Sequence, residues 1–189
     1  TASSVLEISV GSLPTAVITS PVNGSLFKGL QTIQFQGSSN QQVTYFWDIN
    51  FIHDDHTHPV NQIKSAGGSL YIEDSGHDYQ DTTGYSFRLT VTNAIGLTAS
   101  SIVYIWPDKT PFVINSNVPV GITLDDLPIG SLPYSSAQMK KFRQVLAAPP
   151  TACVGGNQYA FQSWSDKQPA THTITFPGLK SLTFLNLVF

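Results

Sequence analysis

Short runs of β-branched and aromatic residues, each followed by turn-forming residues, recur along the chain and constrain its fold more than any other feature. Helical periodicity is almost absent, so the pattern predicts an all-β structure. The alternation is clearest where Phe87, Leu89 and Val91 point to one face and the residues between them point to the other. Seven such runs within about 100 residues are typical of an immunoglobulin-like β-sandwich.

The predicted organisation is two β domains joined by a short linker. Candidate strands before the linker are residues 5–10, 15–19, 31–37, 44–51, 68–72, 85–92 and 98–106. Two prolines and two charged residues fall within 106–111, a composition that indicates a linker. We therefore expect an N-terminal strand or linker at 1–14, a sandwich at 15–107 and a smaller, sandwich-like β domain at 108–189.

The second domain has its own set of candidate strands, with one ambiguous segment. These strands are residues 112–115, 122–124, 159–164, 171–176 and 181–189. Residues 135–148 fit either a helix capped by Ser135 or Ser136, or a strand over 142–146. The β context favours the strand. The last eight residues are unusually apolar, so we expect that strand to be buried or to pair with another molecule.

Composition favours an extracellular protein. Charged residues make up 11% of the chain, against roughly 25% in average soluble domains. Ser, Thr, Asn and Gln take their place, and Asn23 begins an N-glycosylation sequon in a turn-like segment. The net charge of −3 and only nine basic residues argue against nucleic acid as a partner. No apolar run approaches the length of a membrane span.

Four of the five histidines lie between residues 53 and 77, in an acidic segment. In an extended strand His56 and His58 share a face, and His53 reaches them if the chain turns at Asp54 and Asp55. From residue 48 to 81 there are seven acidic residues against a single base. Such negative potential beside imidazoles is what a divalent cation site requires. The predicted site residues are His53, His56, His58, His77, Asp54 and Asp55.

Three interpretations of this segment remain open. The first is a metal site, in which imidazoles favour Zn or Cu and carboxylates favour Ca. Its histidines need hydrogen-bond acceptors, which Asp54, Asp55 or Asp78 can supply. The second is a metal-free network of histidines and carboxylates that orders a long loop. The third is an acidic loop that is simply solvated.

Other candidate residues are aromatic or nucleophilic. Trp47 and Trp164 are predicted core residues, whereas Trp106, Tyr79 and Tyr134 lie near loops and are candidates for contact with a sugar ring. Cys153 is expected to be a buried, free thiol. Enzyme templates are absent from the sequence: there is no G-x-S-x-G, P-loop, H-E-x-x-H or G-x-G-x-x-G motif.

Several segments of the chain resemble a known family. They include V-P-V-G-I-T-L at 118–124, and the most specific of them are the H-D-D-H-T-H-P run at 53–59 and the S-W-S-D run at 163–166. They are similar to the PKD-like sandwich and following small β domain of secreted glucose/sorbosone (pyrroloquinoline-quinone type) dehydrogenase-like proteins. The catalytic propeller of that family has no counterpart here, so the resemblance implies an extracellular accessory module and not quinone-dependent oxidation.

Three functions follow as expectations. The first is a non-catalytic, secreted module that binds carbohydrate or cell-wall polymer and carries a divalent metal in its histidine-rich loop. The second is an extracellular structural protein that forms homo-oligomers or larger assemblies through strand edges and its apolar C-terminal strand. The third, an enzyme that uses a histidine-bound metal, is the least favoured.

Overall fold

The computed structural model of the chain describes residues 11–77, 79–177 and 183–188. The described residues form eighteen β-strands and no helix, which confirms the all-β prediction. The strands of the first half are β1 (Val17–Ser20), β2 (Leu26–Phe27), β3 (Gln31–Ser38), β4 (Val43–His53), β5 (His56–Ile63), β6 (Gly67–Ile72), β7 (Thr83–Asn93) and β8 (Thr98–Pro107). The predicted strand at 5–10 lies outside the described residues.

Ten strands follow in the second half. They are β9 (Lys109–Ser116), β10 (Gly121–Leu124), β11 (Leu127–Ser131), β12 (Tyr134–Met139), β13 (Arg143–Ala147), β14 (Thr151–Val154), β15 (Asn157–Ala160), β16 (Ser163–Trp164), β17 (Thr171–Thr175) and β18 (Thr183–Val188). Residues 135–148 are thus two strands and not a helix. They are joined by a turn in which Lys141 adopts a left-handed φ of 65°.

The strands pair into five sheets. Their strand orders are β1-β3-β6, β2-β8-β7-β4-β5, β11-β10-β13-β17, β12-β9-β18-β16 and the hairpin β14-β15. Strand β5, which contains His56 and His58, is an edge strand of the five-stranded sheet. Strand β18 instead runs parallel to β9 and also pairs with β16, so both of its edges are paired with strands of the same chain. That pairing removes the C-terminal strand as the open edge expected in the self-assembly hypothesis.

Backbone contacts divide the chain into two compact units. The first comprises residues 11–25, 33–70 and 84–105 of the described chain, and the second comprises 26–32, 71–83 and the residues from 106 onward. The predicted first domain, 15–107, therefore includes residues 26–32 and 71–83, which belong to the second unit, as do its last two residues. The sequence pattern missed these two segments because each is short and lies between strands of the first unit.

The core of the first unit is aromatic and comes from alternate positions of its strands. Trp47 is fully buried, as predicted, with its ring centroid 4.9 Å from that of Phe35. Phe87, Leu89 and Val91 are fully buried on the face that the alternation indicates. Burial of these apolar side chains is the main favourable contribution to folding. It also holds β4 in place, and β4 carries the first residue of the candidate site.

The predicted linker at 106–111 is wrong. Strand β8 extends to Pro107 and β9 begins at Lys109, so one residue separates them. That residue, Asp108, donates its N–H to the carbonyl of Phe27 and accepts from the N–H of Lys140. Pro111 pairs with Ala137 of β12 but precedes the stretch of β9 that pairs with β18, so its missing N–H does not interrupt the β9–β18 ladder.

Candidate metal centre

The histidine-rich segment is a tight hairpin and not a long loop. Strand β4 ends at His53, β5 begins at His56, and Asp54 and Asp55 form the turn between them. Asp54 has a φ of 52°, a left-handed conformation that Asp adopts more readily than most residues. The chain therefore reverses at Asp54 and Asp55, as predicted, which returns His56 to the side of His53.

Strand register places three imidazoles on one face of the hairpin. His53 pairs with His56, and Phe51 pairs with His58, in the antiparallel ladder of β4 and β5. Since residues two apart on a strand share a face, all four side chains project the same way. Phe51 is buried against Tyr85, at a ring-centroid distance of 5.2 Å. The histidines thus extend from a hydrophobic base that anchors the hairpin.

The ring nitrogens of His53, His56 and His58 can converge on one ion. One ligand atom from each lies within 4.8 Å of the others. Ring centroids are 5.2 Å apart for His53 and His56, and 4.7 Å apart for His56 and His58. Zn–N bonds of 2.0–2.1 Å in a tetrahedral site separate the nitrogens by about 3.4 Å. Small side-chain rotations therefore suffice, and His56 and His58 are exposed enough to make them.

The two turn carboxylates flank the imidazoles. Neither joins the group of three, but Asp54 belongs to a second group of potential ligands that shares His53. Asp55 Oδ1 lies 3.2 Å from His56 Nδ1, and Asp54 Oδ2 lies 3.7 Å from His53 Nε2. The hydrogen bond with His56, followed by one from its own backbone, lowers the pKa of Asp55 below its ordinary value. A charged Asp55 that accepts from Nδ1 leaves the Nε2 lone pair of His56 free to bind a metal, as acceptors behind metal-bound histidines do.

The fourth predicted histidine, His77, is not part of this group. It belongs to the second unit, in the segment Tyr71–Thr83, whereas the hairpin belongs to the first. The sequence placed them together only because both fall in one acidic stretch. Asp78, a predicted hydrogen-bond acceptor, lies outside the described residues.

Three imidazoles narrow the choice of metal that the sequence left open. Imidazole suits Zn²⁺, Cu²⁺ and Ni²⁺, whereas Ca²⁺ takes six to eight oxygen ligands. The group of three contains imidazoles alone, and this donor set favours a late transition metal over Ca²⁺.

The predicted sugar-contacting residues do not form an exposed platform. Tyr79 is only 4% exposed and packs edge-on against Phe27 and Phe142, so it is a core residue. Tyr134 is half-buried, and its hydroxyl donates to the side-chain oxygen of Gln80. Trp106 is half-buried on β8, next to Leu26 of β2. Proximity to loops in the sequence did not reveal how far each ring is covered by neighbouring strands.

Asn23 lies in an exposed turn, as its sequon context indicated. Its Oδ1 accepts from the N–H of Tyr104 at 2.8 Å. An N-linked glycan attaches to Nδ2, so this hydrogen bond is compatible with the modification.

Sequence reasoning missed the pair formed by His172 and Asp166. The side chain of His172 is 7% exposed, with Nε2 3.2 Å from Asp166 Oδ2 and Nδ1 2.9 Å from the carbonyl of Pro169. The only signal was the spacing of an acid and a histidine around a proline.

Trp164 is buried as predicted. Cys153, expected to be buried, is exposed on β14.

No helix that could cross a membrane occurs among the described residues.

Comparison with protein families, with curated proteins and with solved structures finds no match to this chain. The resemblance to secreted dehydrogenase-like proteins therefore stays a prediction.

Proposed function

We propose that this chain is a secreted, non-catalytic accessory module whose β4–β5 hairpin binds one Zn²⁺ or Cu²⁺ ion through His53, His56 and His58. The observation that carries the proposal is that three imidazole nitrogens lie within 4.8 Å of one another on one face of the hairpin. A hydrogen-bonded Asp55 supports it by holding one of those rings. The ion links two strands across their turn and so rigidifies the hairpin.

Calorimetric titration with Zn²⁺ and Cu²⁺ tests the metal site. We expect one ion per chain, and we expect His58→Gln to weaken the affinity by at least about 100-fold, since it removes one of three ligands. His77→Gln is the matched control and should bind like the wild type. Equal affinity in wild type and His58→Gln, or no binding to either, would overturn the proposal.

Carbohydrate or another extracellular polymer is the partner class that we propose for the module. Its support is a surface rich in neutral hydroxyl and amide groups, which hydrogen-bond sugar hydroxyls. The exposed ring of Tyr104, 39% accessible on β8, replaces Tyr79 as the candidate for stacking on a sugar.

Electrophoresis through gels that contain plant or fungal cell-wall polysaccharides tests this partner class. Retardation should be lost in Tyr104→Ala and kept in Tyr104→Phe, which retains the ring. If no gel retards the wild-type protein, the carbohydrate proposal fails and the metal proposal is untouched.

A further inference from the structure

Strand β17 stands at the end of its sheet, and among the described residues no strand pairs with its outer edge. It is last in the order β11-β10-β13-β17, and its ladder with β13 runs from Thr171 to Thr175 without a register shift. The strand contains no proline and no Lys, Arg, Asp or Glu. The edge strands β5 and β11, in contrast, each contain a proline and belong to a ladder with a register shift. Such features normally keep other chains from pairing with an edge, and β17 lacks them.

The pairing identifies the backbone groups on the free edge. The N–H of Phe176 donates to the carbonyl of Phe142, on the side of β13. Since residues of an antiparallel strand bond to the same neighbour alternately, the N–H and C=O groups of Thr173 and Thr175 point away from β13. Within the part of the chain that the structure describes, these outward groups have no hydrogen-bond partner.

A cleft of about 340 Å³ lies along this edge. Four consecutive residues, from Thr173 to Phe176, line it together with Phe112 of β9 and Asp166. Successive side chains of a strand point to opposite faces, so a cavity that touches four residues in a row lies beside the backbone and not over one face. The side toward β13 is already paired, which leaves the free edge as the wall of the cleft.

Asp166 gives the cleft a negative charge that no neighbour neutralises firmly. Its Oδ1 accepts from the N–H of Gln168 at 3.1 Å, and its Oδ2 lies 3.2 Å from Nε2 of His172, which makes no hydrogen bond in the structure. The Nδ1 of His172 faces the carbonyl of Pro169 at 2.9 Å. A neutral imidazole that donates there presents only a lone pair to Asp166. The carboxylate, 34% exposed, is therefore available to a basic group.

We propose that an extended peptide segment of another protein binds in this cleft by adding a strand to β17, with a Lys or Arg side chain placed against Asp166. An extended peptide presents N–H and C=O groups at the spacing of the free groups of Thr173 and Thr175, which a sugar or a lipid does not. Asp166 is the one charged residue among the described residues that line the cleft, and it favours a basic over an acidic side chain. Phe112 and Phe176 favour an apolar neighbour in the same segment.

A flexible segment fits this place better than a second copy of the chain. To pair through β17, each of two copies would have to enter the cleft of the other, whereas a single extended segment enters one cleft alone. The site lies in the second unit, so it depends neither on the metal hairpin nor on the ring of Tyr104.

Selection from a phage-displayed library of random peptides against the immobilised full chain supplies the probe. We expect enrichment of peptides that combine β-branched residues with Lys or Arg. In a heteronuclear NMR titration with the strongest of these peptides, the amide signals of Thr173 and Thr175 should shift. A library from which no peptide is enriched, or shifts confined to other parts of the chain, would overturn the proposal.

N-methylation of the selected peptide, one position at a time, tests whether it adds a strand. Binding should weaken about tenfold at every second position and change little at the positions between, because only alternate N–H groups of the peptide face β17. Losses of equal size at all positions would show that the peptide does not bind as a strand.

Asp166→Asn tests the charge. It should weaken a lysine-containing peptide about fivefold, the effect of one ion pair about 4 Å apart in water, and leave the glutamine counterpart of that peptide unaffected. Glu73→Gln, which removes a charge from an exposed residue outside the cleft, is the matched control. If Asp166→Asn binds the lysine peptide as tightly as wild type, the assigned role of Asp166 is wrong.

Sedimentation of the protein alone tests the second copy as an occupant. We expect a species without self-association through this edge. A dimer that the selected peptide dissociates would show that β17 pairs with another copy of the chain, and the proposal of a foreign segment would then be wrong.

Discussion

The ion pair of Asp74 and Arg143 shows how a nearly buried charge is stabilised in this weakly charged chain. The side chain of Asp74 is 11% exposed, and its two oxygens accept from Nε and Nη2 of Arg143 at 2.6 and 2.9 Å. The guanidinium hydrogen bonds lower the pKa of Asp74, although burial opposes that shift. The same contact raises the pKa of Arg143. Such two-point pairs are the strongest hydrogen-bonded ion pairs in proteins.

We expect Asp74→Asn to destabilise the protein at neutral pH and to have little effect in acid. A lowered folded-state pKa means that the carboxylate contributes stability above its unfolded pKa of about 4, and that this contribution is lost as pH falls through the folded-state pKa. Urea unfolding at pH 7 and pH 3 measures the difference. A gap between variant and wild type that is as large at pH 3 as at pH 7 would show that the charge is not its cause.

At the scale of elements, the β4–β5 hairpin depends on its turn as much as on its histidines. Asp54 adopts a positive φ, which proline cannot reach because its ring holds φ near −65°. The register of His53 with His56 depends on this two-residue turn. The metal site is therefore sensitive to a residue that is not one of its three imidazoles.

Asp54→Pro should abolish metal binding, whereas Asp54→Gly should keep it. Proline disrupts the turn and separates the two strands, and glycine takes a positive φ without strain. Calorimetric titration with Zn²⁺ gives both affinities, and circular dichroism confirms that the rest of the protein stays folded. If a folded Asp54→Pro variant binds with wild-type affinity, the three-histidine geometry is not what holds the ion.

Close approach of β6 to β3 requires a glycine. A Cβ on Gly67 would lie 2.5 Å from the carbonyl oxygen of Phe35, a backbone atom that cannot move aside. We expect Gly67→Ala to cost about 1–3 kcal/mol of unfolding free energy, the usual range for overpacking. Gly121→Ala is the matched control, since its Cβ would meet nothing nearer than 3.5 Å. Chemical denaturation of the two variants should separate them clearly.

At the scale of the whole molecule, each of the two units has its own buried residues. Trp47 and Phe87 lie in the first unit, and Phe112 and Trp164 lie in the second. Units with separate cores unfold as partly independent transitions. The hairpin belongs to the first unit and the Asp74–Arg143 pair to the second.

Metal and mutation should therefore act on different unfolding transitions. Zn²⁺ at about 100 times its dissociation constant adds about 2.7 kcal/mol to the unit that binds it. In differential scanning calorimetry Zn²⁺ should raise the transition of the first unit, and Asp74→Asn should lower that of the second. If Zn²⁺ and Asp74→Asn move the same transition, or if Zn²⁺ stabilises His58→Gln as much as wild type, this assignment is wrong.

The sequence by itself determined the all-β class, most of the strands, the buried positions of Trp47 and Trp164, and the shared face of His56 and His58. These are local consequences of alternation, since a two-residue period specifies both strand and face without any distant contact. The turn at Asp54 and Asp55 could also be predicted from the sequence, because Asp tolerates a left-handed backbone conformation better than most residues.

Only the tertiary structure decided which separated segments meet. It placed Tyr71–Thr83, with His77, in the second unit and the other three histidines in the first, and it covered Tyr79 with Phe27 and Phe142. It also paired β18 within a sheet instead of leaving it open. Such outcomes depend on packing between residues far apart in the chain, so they cannot be predicted from the residues that are adjacent in the sequence.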